Sequence, residues 1–146
     1  MNFIDEILEQ KGLISADDFL QAMADIYKNP DVRQSLTDYP QFVQDVIYII
    51  DYDTEVQMEG LEGFLTNSTK DFFYETYHAL VNCGARSEAE ILEKAQNIVC
   101  FIDKEDGDKY DEQFEQLEKQ IALHNNYEGF WNLVRAYIDR ERIGLN

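Results

Sequence analysis

The apolar side chains of this chain recur mainly every three or four residues, which is the spacing of one face of an α-helix. One example is the stripe formed by Phe73, Tyr77, Leu80 and Val81. Similar stripes recur from residue 3 to residue 138, with two prolines in the whole sequence and no run of alternating apolar and polar residues. The pattern predicts an all-α fold, a single-domain bundle of about seven helices over residues 1–146.

The run QFVQDVIYII, residues 41–50, requires a choice between two structures, because β-branched residues are common in strands. Its residues Phe42, Val43 and Val46 fit the helical spacing, and no partner strand is evident in the sequence. We therefore predict a buried helix, with Pro40 as its first helical residue.

Four short signals predict where helices begin and end. Ser15 precedes two acids and is expected to cap a helix N-terminus. Ser68 is expected to cap the helix that carries Phe73, and SEAE at residues 87–90 fits the capping-box pattern. Gly84 is expected at the left-handed position that follows a helix C-terminus.

The stretch TEVQMEGLEGFLTNS, residues 54–68, has two glycines inside an otherwise helical pattern, although glycine weakens a helix interior by about 1 kcal/mol relative to alanine. Gly60 and Gly63 lie three residues apart, on one side of a helix. We predict that they let the neighbouring helix 41–50 approach closely, because glycine has no Cβ. A ligand-approach role is the alternative, but no phosphate-binding or cationic group accompanies them.

The ends and the core face of the same segment follow from its polar and apolar residues. Thr54 is expected to be the N-cap of a separate helix, and Phe64 belongs to its core face. Asn67 is expected to take the left-handed conformation at the exit.

The net charge is the most unusual property of the chain. There are 30 acids and 12 bases, a formal charge of −18, and the acids are spread over both halves. Such a field repels nucleic acid and anionic lipid and attracts basic partners. We therefore expect a basic protein as partner, with no direct nucleic-acid binding and no membrane association.

The apolar segments and the first ten residues predict the cellular location of the protein. No stretch approaches the roughly 18 consecutive apolar residues of a membrane span. The start, MNFIDEILEQ, carries acids where a signal peptide has lysines, so we expect a cytoplasmic protein. Cys83 and Cys100 have apolar neighbours and no Cys-x-x-Cys spacing, and we interpret them as reduced core thiols.

The sequence contains little that indicates catalysis. His78 and His124 are the two histidines, and neither has a second histidine at metal-ligand spacing. The sequence DKEDGDKYDE, residues 103–112, is predicted to be an acidic loop and resembles a calcium loop, but Gly107 is fifth instead of sixth and Phe114 occupies the twelfth position. We expect no enzyme activity, no metal and no cofactor.

Several residue pairs resemble the pattern of the bacterial DNA mimic protein 19-like family. They fall between residues 51 and 102 and are, in order, Glu55-Val56, Gly60-Leu61, Phe64-Leu65, Asn67-Ser68, Ala79-Leu80 and Gly84-Ala85. The chain differs from the family pattern at Met58-Glu59-Gly60, where Asn-Gly-Gly is usual, and at Gly63, where Gln is frequent.

The resemblance implies a function that the residues alone do not. It implies an acidic, all-helical protein that can form a homodimer. Its surface carboxylates would imitate duplex phosphates and occupy the DNA-binding face of a transcriptional regulator. Eighteen charges equal those on about 30 Å of duplex. The acids expected to form this partner-binding surface are Asp51, Asp53, Glu55, Glu59, Glu62, Asp103, Glu105, Asp106, Asp108, Asp111, Glu112, Glu115 and Glu118, with Asp45 beside them.

Two other hypotheses stay open at this stage. In the first, the acidity serves only solubility, and the chain is a binding or immunity-type module with an apolar groove anchored by Tyr127, Phe130 and Trp131. In the second, the chain is an enzyme with convergent acids in a pocket. Glu55, Glu59 and the other acids of that helix supply the side chains for such a site, but a solvated role is the simpler interpretation.

Overall fold

A computed structural model describes residues 1–10, 14–102 and 105–143. Within these residues the regular structure is helical, without strands, so the predicted all-α fold is confirmed. The α-helices of the described residues are α1 (Phe3–Leu8), α2 (Ala16–Met23), α3 (Gln41–Thr66), α4 (Phe73–Asn82), α5 (Arg86–Phe101), α6 (Gly107–Glu118), α7 (Ala122–Asn125) and α8 (Tyr127–Arg142). Short 3₁₀ segments cover Ala24–Tyr27, Pro30–Asp38 and Ser68–Phe72.

The long helix α3 is the centre of the bundle. It contacts α2, α4, α5, α6 and α8, and its residues Val43, Val46, Ile47 and Ile49 are fully buried. A helix that is surrounded by other helices has to be apolar on most of its sides, which explains the continuous apolar run in the sequence. The prediction of a buried helix over residues 41–50 is therefore confirmed. Among the described helices, none is long and apolar enough to span a membrane.

Two of the predicted helix ends are confirmed by their hydrogen bonds. Ser15 caps α2, because its side-chain oxygen accepts a hydrogen bond from the amide of Asp18. Gly84 follows the end of α4 with φ +93°. The amide of Ala85 donates to the carbonyl of Leu80 over 2.8 Å, so the chain turns directly from α4 into α5.

Other predicted ends are wrong. Thr54 lies within α3 and caps nothing, and Asn67 has φ −84°, not the left-handed conformation. The N-cap of α5 is Ala85, which places Ser87 inside the first turn instead of in a capping box. Ser68 begins a 3₁₀ segment, and Pro40 is the residue just before α3.

The helix α3 breaks at Gly60. Gly60 has φ +73° and ψ −178°, a conformation that side-chain-bearing residues rarely adopt. The break leaves the amide of Leu61 without its helical acceptor, and a carboxylate oxygen of Glu118 in α6 accepts a hydrogen bond from it. Glu118 thus acts as the N-cap of the last turns of α3 from a different helix.

Gly60 forms this break and leaves room for the Glu118 side chain of α6, which is not the neighbour that the sequence predicted. The segment 41–50 belongs to the same helix as Gly60 and Gly63, so the predicted contact between separate helices is wrong. A Cβ on Gly60 would lie 2.6 Å from the Glu118 carboxylate, and a Cβ on Gly63 would overlap the side chain of Glu59. Phe64 packs in the core as predicted, 1% exposed.

Replacement of Gly60 by alanine should lower the free energy of unfolding by about 2–3 kcal/mol. The added Cβ would be strained at φ +73° and would displace the Glu118 carboxylate. Chemical denaturation at neutral pH measures the change. Gly107→Ala is the matched control, since a Cβ there meets open space, and it should alter the free energy by less than about 1 kcal/mol. Equal stability of the two variants would contradict this account of the break.

Candidate partner-binding surface

The predicted acids fall into two groups in the structure. The first group is exposed and consists of Glu59, Glu105, Asp106, Asp108, Asp111, Glu112 and Glu115. The second group is partly or fully buried and consists of Asp51, Asp53, Glu55, Glu62 and Glu118. Asp103 lies outside the described residues.

The exposed group is concentrated on α6. Tyr110, Phe114 and Leu117 bury one side of this helix. Asp108, Asp111, Glu112 and Glu115 lie three or four residues apart on the remaining surface, and all four are exposed. Seven residues separate the first from the last, which is about 10 Å along a helix axis. These four acids are called the α6 acidic face below.

The α6 acidic face has little internal neutralisation. Among the described residues, one acid of this face forms an ion pair: Glu115 lies 3.4 Å from Lys119. Both side chains are about 70% exposed. Exposed pairs of this kind contribute about 0–1 kcal/mol and leave the charge accessible to another molecule. The face therefore keeps a strong negative potential toward solvent.

Asp51 and Glu55 of α3 have partners within the protein. Asp51 accepts hydrogen bonds from Arg33, at 2.7 Å and 3.1 Å, and from the hydroxyl of Tyr27 at 2.8 Å. Glu55 accepts from the side-chain amide of Asn67 at 2.5 Å. These contacts hold α3 to the segments before and after it, so Asp51 and Glu55 are not a row of solvent-directed charges.

Asp53 is buried, although the sequence suggested a surface position. It is 8% exposed and its Oδ2 accepts hydrogen bonds from the Tyr127 hydroxyl at 2.7 Å and from the Trp131 indole at 3.1 Å. Gln57 donates to the other oxygen at 3.2 Å. Burial and the Asp53 carboxylate raise the pKa of Tyr127. Asp53 therefore joins α3 to α8.

Glu62 and Glu118 join α3 to α6. Burial, together with the Glu62 carboxylate, raises the pKa of Tyr110 to about 12. Glu118 accepts from the Leu61 amide at the break, and its second oxygen lies 3.2 Å from Nε2 of His124. The two glutamates thus orient α6 so that its acidic face points away from α3.

Asp45 is the most buried of the predicted acids, with no exposed surface. It accepts hydrogen bonds from Gln41 at 2.9 Å, Asn82 at 3.0 Å and the Tyr137 hydroxyl at 2.5 Å. Burial and this carboxylate raise the pKa of Tyr137 strongly. The network joins α3, α4 and α8 with neutral donors instead of a cation.

The sequence interpretation missed Glu88. This residue is 2% exposed and accepts hydrogen bonds from the amides of Ala122, at 3.0 Å, and Leu123, at 3.3 Å, which begin α7. Burial raises the pKa of Glu88. Its position four residues before Leu92, on the apolar side of α5, was the available signal, because a lone acid on such a face usually has buried donors.

The features considered for chemistry are dispersed. Within the described ranges, no three His, Cys, Asp or Glu side chains are arranged to hold a metal ion. Cys83 is buried as predicted, whereas Cys100 is exposed, so its prediction as a core thiol is wrong. His78 is exposed and packs edge-on against Tyr77. Of the proposed aromatic anchors, Phe130 is buried in the core, whereas Tyr127 and Trp131 line a small apolar groove.

A pH-dependent stability difference should distinguish Glu88 from exposed glutamates. Its folded-state pKa is raised above the unfolded value of about 4.3, so the folded protein binds the proton more tightly. The stabilisation is fully present below the unfolded pKa and is lost as pH rises through the folded pKa. The free energy of unfolding of the wild type, minus that of Glu88→Gln, should therefore fall as pH increases from about 4 to 8.

Glu90→Gln provides the control for this measurement, because Glu90 is exposed on the same helix. Its difference from the wild type should vary much less with pH. Denaturant unfolding at several pH values gives both differences. A Glu88→Gln difference that is constant or rises with pH would contradict the assignment.

Comparison with known proteins identifies the family. A family model described as DMP19-like protein matches residues 37–141, which is more than half of the chain and runs from before α3 almost to the end of α8. The match is longer than the segment of about 51–102 on which the resemblance was based. Searches of curated proteins and of solved structures found no match. The chain belongs to the DMP19-like protein family.

Proposed function

We propose that this chain is an acidic protein-interaction module that binds a basic DNA-binding protein, such as a transcriptional regulator, through the α6 acidic face. In this proposal the face occupies the surface that otherwise contacts duplex DNA. The observation that carries the proposal is the row of exposed carboxylates on a helix whose opposite side is buried. Membership in the DMP19-like family supports it.

The spacing of the charges agrees with the proposal. Asp106 and the α6 acidic face place five carboxylates within nine residue steps, about 14 Å of helix axis. This is roughly one charge per 3 Å, close to the one per 3.4 Å along a single strand of duplex. A protein surface that binds phosphates through lysine and arginine side chains can bind this row in the same way.

The proposed mechanism requires neither catalysis nor direct contact with nucleic acid. The chain acts by competition, because a partner that holds the α6 acidic face cannot hold DNA at the same surface. The net charge of −18 attracts the basic partner over several ångströms and repels DNA itself. Binding should therefore be fast at low salt and weaken steeply as salt increases.

We also propose that a second copy of the chain docks at the groove between α5 and α6. Phe101 is 82% exposed at the edge of this groove, whose volume is about 590 Å³ and whose floor includes Ile98 and Leu117. A two-fold contact would place each Phe101 in the other copy's groove, and such self-complementary contacts are the common form of homodimer. Glu112 also lines this groove, so the contact would involve one of the four acids of the α6 acidic face, whereas Asp108, Asp111 and Glu115 lie outside the lining.

Neutralisation of the acidic row should weaken partner binding by about tenfold or more, because several charge contacts are lost together. The variant carries Asp106→Asn, Asp108→Asn, Asp111→Asn and Glu112→Gln. The partner is first captured from nuclease-treated lysate and identified. Calorimetric titration of the purified pair over a series of salt concentrations then gives the affinity and its salt dependence.

A control variant with the same change in net charge separates the α6 acidic face from the charge of the whole molecule. It carries neutral amides at four exposed acids of other segments, namely Glu9, Asp31, Asp38 and Asp71. Its affinity should stay within about threefold of the wild type, because long-range attraction is largely screened at physiological salt. Equal losses in both variants, or no loss in either, would contradict a specific role for α6 and favour acidity as a solubility device.

Replacement of Phe101 by alanine should weaken self-association by about tenfold or more, since an aromatic side chain at the centre of an interface is a common hot spot. Sedimentation equilibrium over a range of protein concentrations measures the dimer dissociation constant. Tyr74→Ala is the control, because Tyr74 is 74% exposed on α4 and lies outside the groove. A wild-type protein that stays monomeric, or an equal effect of both substitutions, would refute the contact.

A further inference from the structure

We propose that the groove formed by Tyr127 and Trp131 of α8 with Leu20 and Ala24 is a binding site for one arginine or lysine side chain of a protein partner. The groove is open to solvent, has a volume of about 280 Å³ and has a mainly apolar lining. Its location on α2, α3 and α8 separates it from the α6 acidic face, so this inference does not depend on the function proposed for that face.

The two aromatic rings are held in fixed positions by one buried anion. The Tyr127 hydroxyl and the Trp131 indole nitrogen both donate to Oδ2 of Asp53, which is 8% exposed. Among the described residues, no cation lies within ion-pair distance of this carboxylate. The negative charge at the polar edges of both rings adds to the attraction that the ring faces exert on a cation.

The shape of the groove matches a long basic side chain. The ring centroids of Tyr127 and Trp131 are 6.5 Å apart, with an angle of 61° between the planes, so the rings form two walls and not one flat surface. Leu20, Ala24 and Ile50 supply apolar contacts for the methylene stem. The charged head of an arginine or lysine would then lie against the rings, near the open rim.

The charge of the rim favours a cation, although Arg135 also lines the groove. Arg135 pairs with Asp17 at 2.7 Å and lies 3.6 Å from Glu128. These two carboxylates, called the rim acids, are 74% and 82% exposed, are not part of the groove lining, and outnumber the one base beside them. A purely apolar side chain would fill the groove but would use neither the rim acids nor the buried anion.

The single tryptophan of the chain makes the test specific to this groove. In a ¹H–¹⁵N spectrum the indole N–H gives one resonance, which reports on Trp131. The probe is the capped tripeptide acetyl-Gly-Arg-Gly-amide, and the comparison is the same peptide with citrulline, which has the same shape without the charge. The arginine peptide should shift the indole resonance saturably and bind about two- to fivefold more tightly than the citrulline peptide.

Three variants define the outcome. Tyr127→Leu should remove the preference for arginine, and Asp17→Asn with Glu128→Gln should reduce it, each with the wild-type circular dichroism spectrum. The variant neutralised on α6 should bind the arginine peptide within about twofold of the wild type, so a failure of the function proposed for α6 would not affect this result. Equal affinity for arginine and citrulline, or no shift with either peptide in the wild type, would overturn the proposal.

Discussion

The hydrogen bond between the Glu118 carboxylate and the Leu61 amide fixes the position of α6, and the rest of the surface depends on it. It exists because α3 breaks at Gly60 and leaves that amide without a helical acceptor. A carboxylate that caps a helix from another helix has to approach along the axis, near the partial positive charge of the new helix start. This constraint seats Tyr110 and Phe114 in the core and turns the α6 acidic face outward.

The acidic residues of this chain fall into two structural classes, buried acids that join helices and acids that are exposed to solvent. Asp45, Asp53 and Glu88 are buried and accept hydrogen bonds from hydroxyl, indole, amide and backbone N–H donors. A buried carboxylate without such donors would be strongly destabilising, so these networks determine which helices can pack together. The acids that remain exposed are free of this requirement, and four of them lie together on one face of α6, while others lie on α1, α2, α5 and α8.

The sequence predicted the helical class, the buried helix over residues 41–50 and the left-handed turn at Gly84, because periodicity and glycine report local structure. It failed where distant residues decide the outcome. Nothing local to Gly60 indicates that Glu118, 58 residues later, completes its break. Burial of Asp53 likewise depends on hydrogen-bond donors from α8, which are more than 70 residues away in the sequence. The sequence alone therefore indicated a surface position for Asp53. The α6 acids were expected at the surface, but those up to Glu112 were assigned to a loop, whereas the structure places residues 107–112 in α6.

The most direct measurement of the central claim is the fate of DNA when the partner binds this chain. A fluorescently labelled duplex is bound to the purified basic partner, the acidic protein is added, and anisotropy and native mass are followed together. The account predicts that the duplex is released as a binary protein complex forms, because one basic surface serves both ligands. A stable ternary complex, in which the duplex remains bound beside the acidic protein, would contradict it.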